Sequence, residues 1–156
     1  MSTRLPVPDL GILIASAWQE FVRAMHVDLA GHGFDDLGRS DGYVFRTLAA
    51  GPMTVSALAT KLEVTKQGAG QIIDDMEARG YVVRRPDLSD GRARLVELSA
   101  RGRAAMAAAR RFHQSQERAL IRAHSPAAVT ALRTVLSSLA ADIVDGQDPQ
   151  LRAMSL

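Results

Sequence analysis

This sequence predicts a mostly α fold that carries one small β-wing. Three observations lead there. Of the 156 residues 47% are hydrophobic but only 4% aromatic, with alanine abundant towards the C-terminus, which suits thin Ala/Leu helical cores better than an all-β protein. Apolar residues recur at helical spacing over most of the chain. Strand and turn chemistry is concentrated between residues 81 and 98.

The elements follow in order. Over residues 10–30, Leu10, Ile14, Ala17, Trp18, Phe21, Met25 and Leu29 keep a helical period, with Pro8 and Asp9 as a start and Gly31 with Gly33 as a stop. After a polar loop, Ser40 or Asp41 is placed to cap a helix over 43–50, which Gly51–Pro52 ends. A short helix over 55–62 follows. Thr65 then suits the cap of a helix over 65–79, in which Ala69, Ile72, Ile73 and Met76 form the core stripe and Lys66, Gln67, Gly70, Gln71 and Asp74 are left outside. Gly80 stops that helix. Tyr81, Val82 and Val83 begin a strand, PDLSDG is turn chemistry, and residues 94–98 return with Leu95 as the apolar member of the alternation. Ser99 caps a long Ala/Arg-rich helix to about residue 123. Ser125–Pro126 restarts a last one to about 144, striped by Val129, Leu132, Leu136, Leu139, Ala140 and Ile143, with a frayed tail from Gly146.

Two close helices, the second with a polar, Gln-rich outer face, followed by a basic hairpin, form a winged helix-turn-helix pattern. The lobe spans about 40–100. The helices over about 9–31 and 100–145 carry more apolar surface than so small a lobe can cover, so they read as dimerisation helices of one single-domain chain over 1–156. Charge agrees with a polyanion contact: residues 79–103 hold seven arginines against three carboxylates, a local +4, while residues 1–78 are at −4 and the whole chain at +2. Without cysteine there are no disulfides, thiolate metal sites or thiol redox chemistry. No apolar run nears membrane-span length, and the N-terminus MSTRLPVPDL lacks a signal pattern, so a cytoplasmic protein is expected.

The stretch from Leu58 to Gly102 resembles the MarR family of bacterial transcription regulators. Its wing motif D-x-x-D-x-R stands as Asp87-Leu88-Ser89-Asp90-Gly91-Arg92, followed by a strand and Leu98-Ser99-Ala100-Arg101-Gly102. The resemblance implies a dimeric winged helix-turn-helix that binds palindromic double-stranded operator DNA and usually represses until a small ligand relieves it.

The residues themselves agree. The 65–79 helix would enter the major groove by its N-terminus, where free N–H groups and the helix dipole favour phosphate. Thr65, Lys66, Gln67, Gly68, Gly70 and Gln71 would lie at the DNA, the two glutamines having amides suited to adenine. Gly68 and Gly70 each cost a helix interior roughly 1 kcal/mol relative to alanine, so they signify either close approach to DNA or tight packing on the preceding helix. Family members more often carry Ser or Thr near Gly68. In the wing, Arg92 would reach the minor groove and Arg94 a phosphate, while Asp87, Asp90 and Gly91 would shape the turn. Trp18, Phe21, Met25, Tyr43 and Arg46 could line a pocket for a small aromatic effector, against the plainer reading of dimer core. His26, Asp28, His32 and His113 could gather, but the histidines lack close ligand spacing, so neither metal nor cofactor is expected. Neither a phosphate loop nor a nucleophile elbow is present, which argues against an enzyme. A winged-helix module that binds a protein partner is the alternative, and the clustered arginines speak against it.

Overall fold

The structure is a computed structural model describing residues 9–91 and 93–139. Pro8, Arg92, Ala140, Ile143 and the tail from Gly146 lie outside the described residues. The chain divides into two compact units, residues 1–35 and 36–156.

The first unit is built on α1 (Leu10–Gly31). The Asp9 carboxylate caps it by accepting from the Gly11 N–H, and the chain leaves it through His32 and a left-handed Gly33 at φ 85°. Leu29 is its buried residue, whereas Leu10, Ile12, Leu13, Ile14 and Trp18 are exposed.

The second unit is a winged lobe followed by two helices. It runs α2 (Asp41–Leu48), β1 (Met53–Thr54), α3 (Val55–Leu62), α4 (Lys66–Ala78), β2 (Val82–Pro86), β3 (Arg94–Leu98), α5 (Ala100–Ala123) and α6 (Pro126–Leu139). The three strands form one antiparallel sheet in the order β1-β3-β2. Met53 pairs with Val96, and Val82 through Pro86 pair with Leu98 through Arg94. Strand β1 has no counterpart among the two strands expected from sequence. Two residues carry no alternation, and their partner strand lies far along the chain. The apolar phase of β3 also differs: Val96 and Leu98 are buried while Leu95 is half-buried, because that face closes over α2 and α5.

Helix ends follow side-chain chemistry. Thr54, Thr65 and Ser99 hold the N-cap positions of α3, α4 and α5 with extended backbones, each side-chain oxygen accepting from the N–H three residues on. At α2 the expectation fails. Ser40 sits at the cap but makes no capping bond, and Asp41 opens the helix with its carboxylate turned to the Gly38 N–H (2.8 Å) and to Arg79. Arg79 offers a charge-assisted, two-pronged partner that a backbone N–H cannot match.

The core of this unit lies among Val44, Phe45 and Leu48 of α2, Leu58 and Leu62 of α3, Ile73 and Met76 of α4, and Val96 of β3. Ile72, assigned to the core stripe from sequence, is only half-buried. The last described helix, α6, buries none of its residues, and Leu132, Val135, Leu136 and Leu139 stand exposed.

Candidate nucleic-acid interface

Helix α4 presents its N-terminal turn outward. Its Thr65 cap accepts from the Gly68 N–H at 3.0 Å, and Lys66, Gln67 and Gln71 are exposed while Ala69, Ile73 and Met76 are buried. The two glycines differ in surroundings. A Cβ on Gly68 would lie 3.1 Å from the Thr65 hydroxyl, within the cap itself. A Cβ on Gly70 would meet nothing within 4 Å. Packing on the preceding helix therefore accounts for neither.

The second half of the helix is acidic and tied to the wing. Arg84 of β2 donates to Asp74 at 2.6 Å and also to Glu77. The outward face of α4 thus changes from cationic and neutral at its start to carboxylates held by an arginine further along. Such a face admits phosphate at the N-terminus only.

The wing turn is organised by its own backbone. One Asp87 carboxylate oxygen accepts from the Ser89 N–H (2.9 Å) and hydroxyl (2.7 Å). These bonds hold the Asp87 carboxyl below the usual carboxylate range. The Asp87 N–H donates to the Ala93 carbonyl (3.0 Å), and the Ala93 N–H to the Asp90 carbonyl (2.9 Å). Gly91 and Leu88 are exposed. Arg92 is outside the described residues. Arg94 is exposed and holds no ion pair among them.

The basic block looks different once folded. Arg79 donates to both oxygens of buried Asp41 (2.6 and 3.1 Å), to Asp75 (2.5 Å) and to the Asp36 carbonyl (2.6 Å). Arg84 is held by Asp74 and Glu77, Arg85 by Glu97 at 2.9 Å, and Arg101 by Asp36 at 3.1 Å. Arg103 donates to the Leu98 carbonyl at 2.6 Å. The +4 read along the sequence is therefore a poor measure of the charge turned outward. Carboxylates from the −4 segment, Asp36, Asp41, Asp74, Asp75 and Glu77, fold onto these arginines.

Sequence reasoning missed the junction behind the site. The Tyr81 hydroxyl donates to the Asp36 carboxylate, and the Arg101 and Arg79 guanidinium carbons lie 4.8 and 5.5 Å from the Tyr81 ring centre. Burial first, then the Asp36 carboxylate, pushes the Tyr81 hydroxyl up to about 12. The Tyr81 hydrogen bond, with Arg101 adding to it, holds Asp36 below its ordinary value. The only local signal was the Leu-Ser-x-x-Gly motif. Ser99 bonds the Gly80 carbonyl (2.6 Å), and a Cβ on Gly102 would lie 2.1 Å from the Tyr81 carbonyl oxygen.

The candidate effector residues fall in different units. On α1, Trp18 stacks on Phe21 at 6.3 Å, and Phe21 and Met25 are half-buried. On α2, Tyr43 is half-buried and Arg46 exposed. Partial burial, then the Arg46 charge, lowers the His113 pKa. Asp28 and His32, one turn apart, approach to 3.7 Å. Among the described residues no group of three or more His, Asp or Glu could hold a metal, and no helix is long and apolar enough to cross a membrane.

A helix-turn-helix whose second helix shows a polar outer face beside a β-wing has the fold of winged-helix transcription regulators. Residues 35–93, from the loop before α2 to the wing, match the model of the MarR family, and over that segment the chain is similar to it. In fold it is similar to FabT of Streptococcus pneumoniae in complex with DNA, at 21% identity and a TM-score of 0.73, covering 83% of this chain and 92% of that one. It is similar too to a mutant MarR of E. coli complexed with operator DNA, at 23% identity and a TM-score of 0.63, covering 83% and 92%. A mutant MepR of S. aureus bound to an oligodeoxyribonucleotide is 16% identical with a TM-score of 0.62, over 88% of this chain and 100% of that one. No curated protein matches the sequence significantly.

Proposed function

We propose that this protein is a homodimeric, sequence-specific regulator that binds a palindromic operator and represses nearby genes until a small aromatic ligand relieves it. The carrying observation is the capped, exposed start of α4, where Thr65, Lys66, Gln67 and Gln71 stand together on the helix that Arg84 ties to the wing strand β2. Thr65, Lys66, Gln67, Gly68, Gly70 and Gln71 are the major-groove set, Arg94 reaches a phosphate and Arg92 the minor groove. Solved relatives of the same fold in complex with DNA support this reading. The dimer rests on the exposed apolar rows of α1 and α6, a pattern that two-fold association covers. For the ligand, Trp18, Phe21 and Met25 supply an apolar aromatic group within the first unit, and Tyr43 and Arg46, within the second, are separate candidates.

Fluorescence anisotropy tests the reading, with the duplex flanking the protein's own gene against a scrambled duplex at two salt concentrations. Preferential binding at near-physiological salt, with two subunits per site, is the expected result. Equal binding to both duplexes that salt abolishes would overturn it and favour a protein partner.

A further inference from the structure

We propose that Gly70 is a specificity-determining residue: its missing side chain leaves a notch that lets the α4 backbone approach the major-groove edge of an A·T base pair more closely than a Cβ allows. This rests on the DNA-binding reading and deepens it. A glycine inside a helix sacrifices stability, so its presence calls for a steric reason. At Gly68 that reason is internal, since a Cβ there would press on the capping hydroxyl of Thr65 at 3.1 Å. At Gly70 the fold supplies none, because a Cβ would meet nothing within 4 Å. Alanine would fit the isolated protein and strengthen the helix.

The surroundings point to what fills the space. Lys66 and Gln67 stand one turn before Gly70, Gln71 follows it, and Asp74 stands one turn after, all exposed. A glutamine amide pairs with the N6 and N7 of adenine. The thymine opposite that adenine projects its C5-methyl into the same groove, and the bare Cα of Gly70 offers an apolar recess beside the two amides. Asp74, held by Arg84 at 2.6 Å, stands one turn further along the same helix, so the space over Gly70 lies between the glutamines and a carboxylate already paired within the protein.

The test begins by selecting a preferred duplex from a random-sequence library with the wild-type full-length protein. That duplex, a scrambled one, and a copy with deoxyuridine in place of thymidine are then titrated against wild type and Gly70→Ala. Gly70→Ala is expected to melt a few degrees higher, through helix propensity. It is also expected to bind the selected duplex roughly tenfold or more weakly, with little change on the scrambled duplex. Removing the thymine methyls should weaken wild type and leave Gly70→Ala unaffected. Because the variant gains stability, its loss of affinity cannot come from misfolding. Wild-type affinity in Gly70→Ala, or wild-type indifference to the methyl groups, would overturn the proposal. Failure of wild type to select any sequence would instead overturn the regulator reading beneath it.

Discussion

At Gly102 there is no room for a methyl group. The first turn of α5 runs against the Tyr81 carbonyl, which also accepts the Ser99 N–H at 3.0 Å, and a Cβ would sit 2.1 Å from that oxygen. Backbone cannot yield as a flexible side chain can, so Gly102→Ala is expected to cost about 2–3 kcal/mol or more, read as a lower denaturant midpoint. Tyr81, above the same contact, makes a second prediction. Its hydroxyl is raised above the unfolded value of 10.0 to about 12, so its stabilisation is complete below pH 10 and is lost as pH rises towards 12. Asp36 is lowered, so its contribution holds above the ordinary carboxylate range and is lost as acid protonates it. A titration of phenolate absorbance should show one of the two tyrosines ionising late and together with unfolding, and Tyr81→Phe should remove that late step.

Between elements, the decisive contacts join segments distant in sequence. The caps Thr65 and Ser99 and the stops at Gly33 and Gly80 were legible because their chemistry is local, confined to three or four residues. The α4–β2 tie was not. Nothing in the spacing of Asp74, Glu77 and Arg84 announces that the strand returns alongside the helix, yet Arg84 grips both carboxylates. Arg84→Gln should lower stability by no more than about 1 kcal/mol, since both partners are substantially exposed. It should weaken operator binding by a larger factor, because the wing loses its angle to α4 and two unpaired carboxylates then face the phosphates. Hydrogen exchange over β2 and β3, alongside operator titration, would separate the two effects. Equal operator affinity would remove this tie from the binding mechanism.

At the scale of the whole molecule, charge is redistributed and apolar surface is left over. Four of the seven arginines in the basic block are held by carboxylates and a fifth by a carbonyl, so association should depend on fewer phosphate contacts than +4 suggests. The leftover apolar surface is that of α1 and α6, where Trp18 is 51% and Leu139 60% exposed. For the proposed dimer, Leu132→Glu with Leu136→Glu is expected to yield a monomer by sedimentation velocity and to abolish preferential operator binding. A double variant that still sediments as a dimer would place the interface elsewhere.

By itself the sequence determined the order of the helices, the position of the wing, the caps of α4 and α5 and the polar outer face of α4. All of these depend on periodicity or on neighbours within a turn. Only the tertiary structure decided the third strand, the burial phase of β3 and the neutralisation of the arginines. Each of those depends on which distant segment comes alongside. A single chain without its pairing partners does not encode that in spacing, because long-range contacts are selected by the packing of the whole lobe rather than by any local pattern.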